Sequence, residues 1–100
     1  MTTLPIININ GTSAESLFDE YIEAYRLLAR AKRFLAESTT CHGRDFQCNP
    51  AEDYDKAKQE RHEMFQKLND VMDYCEQWAE VAEKNISEKY MDEIVKLVFD

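Results

Sequence analysis

The chain has 100 residues, and its 44% hydrophobic and 32% charged residues, with only two glycines and two prolines, are typical of long amphipathic helices. One hundred residues allow a single domain with a small core, so we expect the chain to associate with another one. The formal net charge of -8 disfavours nucleic-acid binding, which depends on Lys and Arg neutralising phosphates, and favours a basic protein as partner.

The chain shows no signal for export or membrane insertion. Its start, MTTLPIININGTS, has no basic region and no apolar run of signal-peptide length, and no later stretch approaches the ~20 apolar residues of a membrane span. Three cysteines are an odd number in a chain without an export signal, which argues against a disulfide framework. We therefore expect a cytoplasmic protein with reduced thiols.

The first segment, residues 1–12, is predicted to be an extended arm. It is rich in β-branched and apolar residues, but Pro5 lacks the N–H donor that a central strand needs. Thr12 and Glu15 then have capping-box spacing, which predicts a helix over residues 13–38. Two adjacent and mainly apolar stripes run along it, together wider than one partner helix covers: Leu17, Tyr21, Ala24, Leu28, Ala31 and Leu35 at 4-3-4-3-4 spacing, with Phe18, Ile22, Tyr25, Ala29 and Lys32 beside them.

A second helix is predicted over residues 50–84, after a loop at 39–49. Asn49 is a favoured cap and Pro50 a favoured first helical residue. The apolar period of this helix is interrupted only by Arg61, which we place with neighbouring lysines and acidic residues on a solvated, ion-paired face. The apolar stripe consists of Ala57, Met64, Leu68, Val71, Cys75, Trp78 and Ala82.

Ser87 is a candidate cap for a third helix over residues 87–98. A continuous helix over 50–98 is the competing interpretation, but it would outreach the first helix and leave its apolar end without a partner. The predicted fold is therefore all-α: a long antiparallel helical hairpin with a short third C-terminal helix, completing a bundle by dimerisation. A three-helix monomer, in which the C-terminal segment folds back, is the alternative.

The loop contains the densest group of chemically reactive residues. Cys41, His42 and Cys48 are potential zinc ligands, but a closed structural site needs four and the usual Cys spacing is missing. A cysteine nucleophile needs an oriented base, and adjacent Cys41 and His42 point apart in most loop conformations. We therefore predict no enzymatic activity and no cofactor, and keep a zinc-stabilised structural protein as a weaker alternative.

The sequence Gly-Arg-Asp-Phe at 43–46 has the composition of a tight turn. We expect Gly43 to take a positive φ, Asp45 to bond to local backbone and Phe46 to anchor the loop on the end of the hairpin. Interhelical loops also carry function, so Arg44, Asp45 and Phe46 together are a candidate partner-binding patch.

Three arginines recur at i, i+4 and i+7 along one side of the first helix: Arg26, Arg30 and Arg33. With Arg44, and across neighbouring subunits, they are candidates for a pocket that sequesters an anionic nucleotide. The competing interpretation is that they pair with the acidic residues Glu23 and Glu37 on their own helix.

The second helix carries a strip of carboxylates, which either mimics nucleic-acid phosphates towards a basic partner or keeps the hairpin soluble. Its members are Asp70, Asp73, Glu76, Glu80 and Glu83.

Two short motifs carry a family resemblance. Ile-Asn-Gly-Thr-Ser-Ala-Glu-Ser-Leu at 9–17 and Gly-Arg-Asp-Phe at 43–46 resemble those of small uncharacterised helical proteins from tailed phages and prophages, over about residues 7–83. Here His42 stands where that family has Asn, and Phe46 where it has Tyr. The resemblance implies a phage accessory protein of the host cytoplasm and brings no activity with it. We expect it to bind and modulate a host or phage protein through its acidic faces or its loop.

Overall fold

The computed structural model describes residues 2–86 and 95–97. Two long helices, α1 (Ala14–Ser38) and α2 (Asp53–Glu83), pack against each other as an antiparallel hairpin, and a short 3-10 helix (Gly43–Phe46) lies in the loop between them. The described residues contain no strand, so the predicted all-α hairpin is confirmed. Residues 95–97 are helical, and the remainder of the helix predicted at 87–98 lies outside the described residues.

The cap of α1 is Ser13 and not Thr12. Ser13 has extended backbone (φ -63°, ψ 152°), and its Oγ accepts a hydrogen bond from the Ser16 N–H at 3.1 Å. Its carbonyl also accepts the first helical bond, from the Leu17 N–H at 3.0 Å. The capping box predicted between Thr12 and Glu15 is therefore wrong by one residue, because the extended backbone at Ser13 brings its own hydroxyl to the free N–H groups.

The start of α2 is also later than predicted. Pro50 begins a turn, in which the Pro50 carbonyl accepts a hydrogen bond from the Asp53 N–H at 3.1 Å. The regular helix begins at Asp53. The residue at the cap position is Glu52, whose carbonyl accepts from the Lys56 N–H. Asn49 does not cap the helix; its Nδ2 donates to the Asp53 carboxylate at 3.1 Å. Asn49 and Pro50 thus lie about one turn before the first residue of the helix.

The apolar core lies at the open end of the hairpin, where α1 begins and α2 ends. Phe18 packs there against Ala79 and Ala82, whose small side chains allow the two helices to approach closely. Ala82 is the only one of them without any exposed surface, and no large side chain of the described residues is completely buried. The partly buried residues around this cluster are Leu17, Tyr21, Ile22 and Ile86.

Arg61 holds the other end of the hairpin together. Its guanidinium donates to the Leu35 carbonyl at 2.7 Å, to the Thr39 carbonyl at 3.3 Å and to the Thr39 hydroxyl at 3.0 Å, and it lies 5.3 Å from the centre of the Phe65 ring. Arg61 therefore supplies donors at the C-terminal end of α1, to the Leu35 carbonyl in the last turn and to Thr39 just after it, where a positive charge also complements the helix dipole. The prediction of a solvated, ion-paired Arg61 is wrong, because these carbonyls lie within its reach.

Candidate functional site

The loop predicted to bind a partner is itself part of the packed structure. Gly43 begins the 3-10 helix with no positive φ, so the predicted left-handed conformation is wrong. A Cβ at this position would lie 3.2 Å from the Tyr54 ring, which gives the glycine a steric reason instead.

Phe46 anchors the loop as predicted. Its ring centre lies 5.7 Å from that of Tyr54, and the Lys58 ammonium lies 4.5 Å from the centre of the same Tyr54 ring. The bond predicted from the Asp45 side chain to local backbone is not formed among the described residues; the contact is made by the backbone N–H of Asp45, which donates to the His42 carbonyl at 3.0 Å. Because Phe46 is occupied by this contact, the loop presents mainly the exposed Arg44 and Asp45 to a partner.

The cysteines and histidine of the loop do not form a metal site. The part of the chain that the structure describes brings together no three His, Cys, Asp or Glu side chains as ligands, so Cys41, His42 and Cys48 are not gathered into a three-ligand site. All three cysteines are free thiols. Cys75 is buried in α2, and burial raises the pKa of its thiol and makes it a poor nucleophile.

Two of the three arginines on α1 pair with glutamates, as the competing interpretation predicted. Arg26 lies 3.3 Å from Glu23, and Arg33 lies 3.3 Å from Glu37. Arg30 is exposed and makes no ion pair with any residue in 2–86 or 95–97. The cationic surface available to a ligand is therefore smaller than the sequence suggests.

Arg30 borders an open groove that the sequence did not reveal. The groove has a volume of about 260 Å³ and contains Phe34, whose side chain is 63% exposed, together with Arg33, Glu37 and Ser38. Phe34 follows Phe18 by sixteen residues, so at about 100° per residue it lies some 160° around α1, away from α2.

Leu27, at 53% exposure, lies one heptad before Phe34 on the same side of α1. We call Leu27, Arg30 and Phe34 the outer stripe. Leu27 and Phe34 fall outside both apolar stripes of the sequence pattern, and this was the signal that could have identified them.

Three aromatic rings meet across the hairpin on another side of the molecule. Tyr21 stacks on Trp78 with 4.9 Å between ring centres and 16° between planes, and Tyr74 contacts both rings at 6.3 and 6.1 Å. Burial, and then the neighbouring Tyr74, raise the pKa of Tyr21. Val71 and Tyr74 are 48% and 44% exposed, so this cluster reaches the surface.

The N-terminal arm lies beside these rings. Pro5, Ile6 and Ile7 line a cleft of about 230 Å³ with Leu17 and Trp78. The Nε1 of Trp78 is buried and has no acceptor among the described residues. Ile6 is 90% exposed on the rim of this cleft. We call Ile6, Tyr21, Val71, Tyr74 and Trp78 the aromatic face.

The acidic strip of α2 is exposed along its whole length. None of its carboxylates forms an ion pair within the described ranges, so their charge is available to the solvent or to a partner. Its members are Asp70, Asp73, Glu76, Glu80 and Glu83.

None of the helices in the described residues is long and apolar enough to cross a membrane. Comparison of the chain with family models finds no match, and no curated protein or solved structure is significantly similar to it.

Proposed function

We propose that this protein is a non-enzymatic interaction protein that binds a protein partner through the outer stripe of α1. The observation that carries the proposal is the position of Phe34, which is exposed beside Arg30 on the side of α1 that faces away from α2. Exposed aromatic and arginine side chains are the residue types that most often dominate binding energy at protein interfaces.

The chemistry of the outer stripe specifies the partner surface. Phe34 and Leu27 favour an apolar side chain, and Arg30, which has no ion pair in the described chain, favours a carboxylate. Arg33 and Glu37 form an ion pair at the edge of the groove and contribute little net charge. The partner therefore offers an apolar anchor with an acidic residue beside it.

The acidic strip of α2 supports a second contact of opposite sign. Its exposed carboxylates favour a basic region on the partner and accelerate encounter at low ionic strength. The resemblance to small helical proteins of tailed phages supports a phage or prophage accessory protein that modulates a host or phage protein in the host cytoplasm. The nucleotide-sequestering alternative has less support, because Arg26 and Arg33 are already paired with glutamates.

Site-specific photo-crosslinking tests this proposal. A benzophenone amino acid placed at Phe34 in protein expressed in bacterial cells is expected to give an adduct with one defined protein, identified by mass spectrometry. The same probe at Gln66, an exposed residue of α2, serves as the control and is expected not to give that adduct.

The identified partner then allows a direct binding measurement. Arg30→Ala should weaken binding of the purified partner more than Arg26→Ala does, because the charge of Arg26 is already satisfied by Glu23 at 3.3 Å. Equal adducts at Phe34 and Gln66, or equal effects of the two arginine substitutions, would contradict the proposal.

A further inference from the structure

The chain as a whole, with its N-terminal arm and the segment after α2 included, exposes far more surface than a compact folded monomer of its size. A compact chain of 11.8 kDa is expected to expose roughly 5,900 Å², whereas this chain exposes 7816 Å². Its radius of gyration is 19.2 Å, compared with roughly 13 Å for a compact domain of this length. About 1,900 Å² of surface is thus in excess, more than the ~800 Å² per partner that a typical stable interface buries.

The excess follows from the architecture. The molecule measures 60 × 33 × 15 Å, so it is one layer of helices, and a stable core normally lies between two layers. No large side chain of the described residues is completely buried in this single layer. A second layer that completed the core would lie against one of the two broad sides of the hairpin.

The aromatic face identifies which side this is. Tyr21 contacts Tyr74 and Trp78 across the hairpin, so the helical stripes that contain these residues share one broad side. In a chain with 20 acidic residues, neither stripe contains an Asp or a Glu over residues 17–35 of α1 and 67–81 of α2; the α2 stripe reaches its first carboxylate at Glu60, one heptad closer to the loop. The α1 stripe is Leu17, Tyr21, Ala24, Leu28, Ala31 and Leu35, and the α2 stripe is Lys67, Val71, Tyr74, Trp78 and Val81.

We infer that a second copy of this chain covers the aromatic face, so that two hairpins pack face to face as a four-helix bundle. Two chains that each carry a net charge of -8 repel one another. The stripe residues of the aromatic side named above include no carboxylate, so packing through them brings no Asp or Glu of one stripe against that of the other chain. In a symmetric dimer the same patch of each chain packs against its copy. The aromatic residues of this face lie close together and so form one such patch. The inference is independent of the outer stripe, which lies elsewhere on α1.

The first test is the molar mass of the full-length protein, measured by sedimentation equilibrium over a wide range of concentrations. The expected result is twice 11.8 kDa, falling towards 11.8 kDa on dilution. A mass of 11.8 kDa at every concentration would overturn the inference and leave the face to residues 87–100 or to another protein.

A substitution then locates the interface. Tyr74→Glu places a carboxylate on the aromatic face and should raise the dimer dissociation constant by at least about tenfold. Gln66→Glu adds the same charge on another side of α2 and is expected to leave it unchanged. A folded Tyr74→Glu variant, verified by circular dichroism, that remains dimeric would overturn the inference.

The unaltered protein provides a probe that does not depend on the variant folding. Trp78 is the single tryptophan and lies on the proposed interface. Its fluorescence emission should move to longer wavelength on dilution, at the concentration where the molar mass halves. Dissociation without such a change would place the interface elsewhere and overturn the inference. Phe34 plays no part in these measurements, so their outcome is separate from that of partner crosslinking.

Discussion

At the open end of the hairpin, Phe18 packs into a cluster of apolar side chains, whereas at the loop end Arg61 donates hydrogen bonds to the Leu35 and Thr39 carbonyls at the C-terminal end of α1. The open end depends on apolar contact, which is non-directional and follows from the period of the sequence. The loop end depends on one guanidinium with defined geometry. The hairpin therefore combines contacts that tolerate repacking with contacts that do not.

The largest effect is expected from removing the apolar contact at the open end. Phe18→Ala deletes the central ring of the cluster, which is only 6% exposed, and should lower the free energy of unfolding by about 3–5 kcal/mol. Urea unfolding at fixed protein concentration measures this. Phe18→Leu, which retains most of the volume, is the matched control, and equal losses for the two variants would show that packing volume at this site is unimportant.

Arg61 tests the polar end. Arg61→Ala removes the guanidinium from the Leu35 and Thr39 carbonyls, of which the Leu35 carbonyl keeps the Thr39 hydroxyl as a donor, and should cost about 1.5–3 kcal/mol. Arg61→Lys keeps the charge but loses the two-nitrogen fork, in which Nη2 donates to both carbonyls and Nη1 donates to the Thr39 hydroxyl, so we expect an intermediate loss in the same unfolding assay. If the lysine variant matched the original protein, charge alone would account for the contact and its geometry would be irrelevant.

The start of α1 offers a smaller and sharper test. Ser13→Ala removes the hydroxyl that accepts from the Ser16 N–H and should cost about 1 kcal/mol. Thr12→Ala, one residue earlier, is expected to change stability much less, because Thr12 is not the cap. The thermal unfolding midpoints of the two variants measure the difference. A larger loss of stability in Thr12→Ala than in Ser13→Ala would instead support the capping box predicted from the sequence.

The smallest effect concerns pH and belongs to the open end. Since burial raises the pKa of Tyr21 in the folded protein, the folded state holds this proton more tightly than the unfolded state does. This contribution to stability is present below the ordinary tyrosine pKa of about 10 and is lost as pH rises through the higher folded value. Tyr21→Phe should therefore reduce the alkaline decline in unfolding free energy; an unchanged decline would assign it to other groups.

The outer stripe and the aromatic face differ in how far the sequence revealed them. Tyr21 and Trp78 occupy regular apolar positions, so their helices and common side follow from the 3.6-residue period, although the ring stack itself does not. Leu27 and Phe34 lie off that period, which marks them as apolar residues outside the core, but exposed apolar residues are common enough that the sequence alone does not indicate a role for them. Their position beside Arg30 on the exposed side of α1 distinguishes them from other exposed apolar residues.

By itself, the sequence determined the helices, their antiparallel pairing and the acidic character of the surface, because periodicity, capping residues and charge act locally along the chain. The tertiary structure decided what depends on distance between segments. It turned Arg61 from an apparent surface charge into a donor at the C-terminal end of α1, replaced the expected positive φ of Gly43 with a close approach to Tyr54, and left Arg30 without the glutamate that its neighbours have. Hydrogen bonds and steric contacts of this kind act over a few ångströms, so which ones form is fixed only when the two helices meet.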